Sequence, residues 1–232
     1  MTTPTPPVPP PAPDPEARGL RLVAVLLVLT VVSGLIDAVS YLGLGRVFTA
    51  NMTGNVVVLG FAAAGAPGFS VPHTATSLVC FLLGATAGGR VAARHVRGSR
   101  RAWTRRTLAA EAALVGGSAA VAFAWPDATA AHYALIALTA FAMGLRNATV
   151  RKLGVPDLTT TVLTMTLTAL ASESRLGDAT GHRSPRRTAS ALAMAAGAAL
   201  GAWLVLHHGL ALPLLLAAGA AGGAAAVASG RE

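Results

Sequence analysis

The chain has 232 residues, of which 53% are hydrophobic and only 12% are charged. Soluble domains have about a quarter of their residues charged, so this composition excludes an ordinary soluble enzyme domain. The net charge of +9 does not indicate a nucleic-acid surface, because the arginines are clustered between apolar runs, as they are beside membrane spans. The sequence therefore predicts an all-α, polytopic helical membrane protein whose partner is the lipid bilayer and not nucleic acid.

In chain order, residues 1–19 come first, and they are too rich in proline to pack a core. We expect a disordered tail there. The rest of the chain contains six apolar runs of the roughly 20 residues that a membrane span requires. These runs cover residues 20–44, 70–91, 107–126, 128–148, 188–206 and 209–229.

Two further apolar segments, Asn55–Gly65 and Leu158–Ala171, are too short to cross a membrane unbroken. A helix of 10–14 residues is about 15–21 Å long, whereas the hydrocarbon core is about 30 Å thick. We therefore predict that each segment is either a half-helix that enters the membrane and returns or part of a broken span.

The distribution of arginine favours half-helices that return. If all eight segments crossed, the basic connectors 90–106 and 173–187 would lie on opposite faces of the membrane, which the positive-inside tendency disfavours. If the short segments do not cross, both connectors, Arg151, Lys152 and the two chain termini face the cytoplasm. Arg46 is then alone among the Lys and Arg residues on the outer side.

The two halves of the sequence resemble each other. The residues GLIDA at 34–38 reappear as GLRNA at 144–148, and a GxxxG pattern at 84–88 is matched by another at 197–201. Such self-similarity at a long period indicates a duplication.

We predict a first membrane repeat over residues 20–126 and a second over residues 127–232. Each repeat has three spans and one short segment, and because three is odd the repeats have opposite orientations in the membrane. Inverted repeats with broken helices are a recurrent design of transporters, and the breaks usually mark the binding site.

Each half has one distinctive motif in its central part. The first half has GLIDAVSYLGLGRVFTANMTGNVVVLG at 34–60, and the second has MGLRNATVRKLGVPDLTTTVLTMTLTAL at 143–170. Both resemble signatures of the YoaK-like family of bacterial inner-membrane proteins. The resemblance implies roughly six spans in the bacterial cytoplasmic membrane and implies no substrate. Met165 stands where Gly54 stands in the first half, so strict symmetry of a site is not expected.

Asp37 is the sharpest candidate for a functional residue, because a carboxylate in an apolar run costs about 2.5–3.5 kcal/mol to insert. Such residues usually face a cavity or a partner. Asp37 could bind a cation, take a proton, or pair with Arg146 or Arg46. The equally weighted alternative is that it caps a helix end at the outer interface.

The polar stretch Asn51, Thr53 and Asn55 is the second candidate. Asn and Thr side chains there can cap the short helix that follows. The same groups, with free N–H groups at a helix start, can also hold an anion or a polar solute. Both roles stay open.

In the second half, Arg146 and Asn147 occupy the equivalent position. Arg146 is predicted to belong to the cytoplasmic positive belt, although it can also contribute to a site. The threonines of the short segment could line a polar path, or each could bond to its own helix backbone. They are Thr159, Thr160, Thr161, Thr164, Thr166 and Thr168.

The remaining motifs indicate structure more than chemistry. Glu111 is predicted to lie at the cytoplasmic surface near Arg105 and Arg106. The GxxxG patterns, including a third at 219–223, allow close helix contact and suggest a homo-oligomer. Catalytic signatures such as HExxH and GxSxG are absent from the sequence, so we expect no enzyme activity, no cofactor and no metal site.

The first hypothesis is a small-solute transporter or channel. Its site would lie between residues 51–55 and the threonine-rich segment, with Asp37 and Asn147 beside it. The alternative is a non-transporting scaffold or sensor that acts through its basic cytoplasmic loops, of which residues 90–106 could hold anionic lipid.

Overall fold

A computed structural model describes residues 20–94, 100–154, 163–174, 177 and 184–228. The predicted tail at 1–19 and the threonines Thr159, Thr160 and Thr161 lie outside these residues. Eight α-helices form within the described ranges, and no strand occurs there, as the composition predicts. They are α1 (Leu20–Gly43), α2 (Met52–Ala63), α3 (Val71–Arg94), α4 (Arg100–Ala124), α5 (Thr129–Leu153), α6 (Leu163–Ser172), α7 (Ser184–His208) and α8 (Ala211–Val227).

Helix length separates the helices that can span a membrane from those that cannot. Helices α1, α3, α4, α5 and α7 have 24 or 25 residues, which is about 36 Å at 1.5 Å per residue. These five are long and apolar enough to cross. Helix α8, the sixth predicted span, has 17 residues. Helices α2 and α6 have 12 and 10, so both predicted short segments are present as short helices.

Two helix pairs, α1 with α7 and α3 with α5, pack with their backbones close together, and glycines at the contacts allow this close approach. In the pair α1 and α7, a Cβ added to Gly34 would overlap the carbonyl oxygen of Met194. A Cβ added to Gly197 would overlap the carbonyl oxygen of Val31. Val31 contacts Gly197 and, one turn further along both helices, Leu35 contacts Gly201, so α1 and α7 run parallel.

The pair α3 and α5 repeats this arrangement. A Cβ on Gly84 would overlap the carbonyl oxygen of Phe141, and one on Gly144 would overlap that of Phe81. The GxxxG patterns at 84–88 and 197–201 are therefore used for packing within the chain. The third pattern differs, since Gly219 and Gly223 lie on the exposed face of α8.

The two parallel pairs are joined by α4 and α8, which run antiparallel. A Cβ on Gly116 would lie 3.7 Å from the Cβ of Ala218, and one on Gly222 would lie 3.9 Å from the Cβ of Ala112. Small residues again allow close packing, as is usual between helices in membranes.

The helix directions define two ends of the molecule. Helices α1, α4 and α7 begin, and α3, α5 and α8 end, at what we term the basic end. There Val25, Leu108, Val150 and Ala224 form one apolar cluster. The opposite end, termed the loop end, holds the connectors between α1 and α3, between α4 and α5, and between α7 and α8.

Both short helices lie in connectors that return to the end they left. Helix α1 ends and α3 begins at the loop end, where a Cβ on Gly45 would lie 2.7 Å from Nδ1 of His73. Helix α5 ends and α7 begins at the basic end. Neither α2 nor α6 therefore carries the chain from one end to the other. This agrees with the alternative in which each short segment is a half-helix that enters and returns.

The contact between α3 and α5 gives a direct test of the packing. We expect Gly84→Ala to destabilise the protein by about 1–3 kcal/mol, because the added methyl group has no room against the α5 backbone. Thermal unfolding in detergent, followed by size-exclusion chromatography, measures this. The matched control is Gly89→Ala on the same helix, where nothing lies within 4 Å of the new Cβ. Equal melting temperatures for the two variants would contradict the packing.

Candidate functional site

The chain enters α2 through a non-helical connector that is held from α1. Oδ1 of Asp37, which is only 8% exposed, accepts hydrogen bonds from the main-chain N–H groups of Thr49 at 3.2 Å and Ala50 at 2.8 Å. Charge-assisted bonds of this kind are stronger than neutral ones. Asp37 forms no ion pair with Arg46 or Arg146 among the described contacts. It therefore acts as the anchor of this connector.

Asn55 holds the same connector from the other side. Its Oδ1 accepts from the N–H of Phe48 at 2.8 Å, and its Nδ2 donates to the carbonyl oxygen of Phe48 at 2.5 Å. Nδ2 also lies 3.0 Å from Oγ of Ser77 on α3, whose hydroxyl donates to the same carbonyl at 2.6 Å. Asn55 is fully buried, so its amide is committed to these bonds. Asn51 caps α2 by accepting from the N–H of Gly54 at 3.2 Å.

These bonds start α2 inside the protein and let it run back towards the loop end. Asp37 is six residues before the end of α1, and Ser77 is six residues after the start of α3; at 1.5 Å per residue each lies about 9 Å inward. The N-terminal turn of α2 therefore lies at that depth.

A cavity of about 770 Å³ lies between the N-terminal turns of α2 and α6. The polar side chains that line it include Asn51, which caps α2, Thr53 from α2 and Thr164 from α6. It extends from Phe69, in the connector at the loop end, to Met194 in the middle of α7. The remaining described lining residues are apolar or aromatic, apart from glycine: Tyr41, Phe48, Gly54, Val57, Val58, Phe61 and Leu163.

A buried ion pair lies apart from the cavity, between α1, α4 and α5. Nη1 of Arg146 is 3.2 Å from Oε1 of Glu111, and both side chains are 0% exposed. The guanidinium also donates to the carbonyl oxygen of Leu29 at 2.8 Å and to Oγ of Ser33 at 2.7 Å. Oε2 of Glu111 has no hydrogen-bond partner among the described residues.

This ion pair corrects two expectations. Glu111 does not lie at the surface beside Arg105 and Arg106, and Arg146 does not belong to the positive belt. The physical reason is that each charge compensates the other at the same depth, so neither has to reach water. Asp37 and Glu111 are acidic residues inside apolar runs, and Arg146 is a basic residue inside another, so the sequence offered either carboxylate as its partner.

The structure thus divides the predicted site residues into two groups. Asn51, Thr53 and Thr164 come together in the cavity, whereas Asp37, Asn55 and Arg146 are buried in internal contacts. Nδ2 of the half-buried Asn147 donates to the carbonyl oxygen of Met143 at 2.8 Å, so this amide contacts its own helix.

Sequence reasoning missed the aromatic residues of the cavity. They are separated along the chain, and no spacing rule relates them: Tyr41, Phe48, Phe61 and Phe69. The one available signal was that four of the chain's eleven aromatic residues fall within residues 41–69.

Five helices long enough to span and two short helices that return define a polytopic helical membrane protein. The particular family follows from sequence comparison. Residues 25–227 match the model of the family described as "Protein of unknown function (DUF1275)", and the chain belongs to this family.

A curated relative agrees with this assignment. The chain is 32% identical over 145 residues to the UPF0700 transmembrane protein YoaK of Bacillus subtilis (strain 168). The alignment covers 62% of this chain and 64% of the relative's length. The resemblance to YoaK-like proteins is therefore confirmed. No solved structure matches the chain.

The ion pair makes a specific prediction about stability. Arg146→Met should destabilise the protein by about 3–5 kcal/mol, because it leaves the Glu111 carboxylate buried without compensation. The double variant Arg146→Met with Glu111→Gln should regain part of this loss, since no unpaired charge then remains. Thermal unfolding in detergent of both single variants and the double variant measures the coupling.

The matched control is Arg151→Met, which removes an exposed arginine from the same helix and should change stability by less than about 0.5 kcal/mol. If Arg146→Met and Arg151→Met are equally stable, the ion pair does not stabilise the fold. Additive losses in the double variant would contradict a direct interaction.

Proposed function

We propose that this integral membrane protein is a small-solute transporter or channel of the bacterial cytoplasmic membrane, with its site between two inverted repeats. The observation that carries the proposal is the 770 Å³ cavity between the N-terminal turns of α2 and α6. Membrane transporters commonly bind their solutes where discontinuous helices of two repeats meet. Asn51, Thr53 and Thr164 would replace the water around a solute with hydrogen bonds.

The reciprocal glycine contacts support the repeat. Val31 and Gly34 of α1 become Phe141 and Gly144 of α5 when 110 is added to each residue number. Adding 113 likewise takes Phe81 and Gly84 of α3 to Met194 and Gly197 of α7. The duplication thus matches α1 with α5 and α3 with α7. Under this matching, the α1–α7 contact becomes the α5–α3 contact, so the two closest helix pairs are equivalent to each other.

The short helices fit the same correspondence. Adding 111 takes Thr53 to Thr164, and both line the cavity. The connector with α2 enters from the loop end, whereas the connector with α6 enters from the basic end. Two elements that are equivalent in sequence but approach from opposite ends are what an inverted duplication produces.

The basic end is proposed to face the cytoplasm, with both chain termini. Arg46 lies at the loop end, and Arg146 is buried between the ends. The exposed cationic side chains described at the basic end are Arg90, Arg94, Arg105, Arg106, Arg151, Lys152 and Arg186. An excess of Lys and Arg in short connectors is the usual mark of the cytoplasmic side.

Transport is tested with the purified full chain in liposomes loaded with radiolabelled glycerol, urea and nicotinamide. We expect flux of at least one solute above that of protein-free liposomes. The double variant Thr53→Val with Thr164→Val keeps side-chain shape but removes two hydroxyls. It should lower that flux about tenfold, because two hydrogen bonds of about 0.5–1.5 kcal/mol each are lost.

The matched control is Thr86→Val, on an exposed face of α3, where the hydroxyl donates to the carbonyl oxygen of Leu82 at 2.8 Å. This variant should keep wild-type flux. Unchanged flux in the cavity double variant would show that the solute does not pass these threonines. Flux no higher than that of empty liposomes for all three solutes would count against transport.

The exposed cations at the basic end favour a second candidate function. A ring of arginine and lysine at a membrane surface binds anionic headgroups at about 1 kcal/mol per residue. A scaffold or sensor that acts through these cations would not depend on the cavity. Under this alternative, removal of the cavity hydroxyls leaves the protein's role intact, whereas removal of the surface arginines abolishes it.

A further inference from the structure

Four aromatic residues of this chain lie together around the cavity. The sequence contains eleven aromatic residues, namely three Trp, two Tyr and six Phe, and four of them line the cavity between α2 and α6. Tyr41 and Phe48 stack with ring centroids 4.8 Å apart, and Phe61 meets Phe69 edge to face at 5.6 Å. Aromatic surfaces of this kind favour flat, polarisable ligands.

The cavity contains no formal charge among its described lining residues. Arg46 lies beside the cavity, since its guanidinium carbon is 5.6 Å from the centroid of the Phe69 ring and the group packs beside Gly68. Arg46 is not part of the lining. An ion that entered the cavity would lose hydration without gaining a counter-charge, which is costly.

The polar groups that are present suit a neutral ligand with a hydrogen-bond acceptor at its edge. Thr53, Thr164 and Tyr41 carry hydroxyl groups, and Asn51 carries an amide. The N-terminal turns of α2 and α6 both border the cavity, and helix N-termini carry partial positive charge. That charge disfavours cations and favours a carbonyl-type oxygen.

We propose that the cavity binds uncharged, flat, ring-bearing solutes with a hydrogen-bond acceptor at the ring edge. Its volume of about 770 Å³ falls within the range of about 300–1,000 Å³ that is usual for small-molecule sites. The aromatic pairs hold the ring faces, and the hydroxyl groups orient the edge. This inference names the solute class of the proposed transport site and rests on that proposal.

The test uses compounds that change the charge of the ligand or remove its ring. The full chain in nanodiscs is equilibrated with radiolabelled nicotinamide, and unlabelled competitors are added. Nicotinate has the same ring with a negative charge, 1-methylnicotinamide has it with a positive charge, and hexanamide keeps the amide without a ring. We expect nicotinamide to bind about tenfold more tightly than each of the other three, since charge desolvation and loss of ring contacts both weaken binding.

A pair of variants links this selectivity to the cavity. The double variant Phe61→Leu with Phe69→Leu keeps most of the apolar volume but removes two rings, so nicotinamide affinity should fall about fivefold or more. The control Phe123→Leu changes an exposed aromatic residue outside this cavity and should bind as wild type does. Melting temperatures of both variants check that the fold is unchanged.

Each other outcome overturns the inference. Nicotinate or 1-methylnicotinamide binding as tightly as nicotinamide would show that charge is accepted, and equal binding of hexanamide would indicate an acyl-chain site. No saturable nicotinamide binding at millimolar concentration would also overturn it. Selective binding without flux refutes transport alone, whereas threonine-dependent flux of glycerol or urea without nicotinamide binding refutes the solute class alone.

Discussion

The structure depends on how the main chain between α1 and α2 satisfies its hydrogen bonds. This connector is not helical, and inside a membrane protein an unpaired N–H or carbonyl group costs several kcal/mol. Asp37 supplies an acceptor for two N–H groups, while Asn55 and Ser77 satisfy both main-chain groups of Phe48. Because these bonds hold the connector about 9 Å inside the protein, a helix of 12 residues can start there and return. The cavity is the space that this return leaves against α6.

The buried ion pair complements this arrangement from the middle of the helix bundle. Arg146 belongs to α5, in the second half of the chain, but it contacts Leu29 and Ser33 of α1 and Glu111 of α4. A pair of charges inside apolar surroundings stabilises less than its Coulomb energy suggests, since both ions lose hydration. It is nevertheless specific, because any shift between the halves would leave a charge unpaired. We therefore regard Arg146 as a residue that fixes the relative position of the two halves and not as a ligand of a solute.

Much of the architecture was predictable from the sequence because membrane spans are set by length and hydropathy. The six apolar runs form helices, and the two short segments contain α2 and the described helix α6. Of the six runs, α8, at 17 residues, is shorter than a full span. The role of individual polar residues was not predictable. The sequence made both Asp37 and Thr53 candidates for the site. In the structure Asp37 holds the main chain of the connector, whereas Thr53 lines the cavity. This difference depends on how the connector folds, which the sequence pattern does not specify. Glu111 was misplaced because a partner more than thirty residues away decides its depth.

The central claim is that neither short helix carries the chain across the membrane. Cysteine labelling with a membrane-impermeant reagent tests it most directly, in a Cys80→Ser background with single cysteines at exposed positions on either side of each short helix, namely Arg46 and Ala64 around α2 and Lys152 and Arg186 around α6. We predict that the cysteines at 46 and 64 react from one face of the membrane and those at 152 and 186 from the other. Labelling of positions 46 and 64, or of positions 152 and 186, from opposite faces would contradict the account.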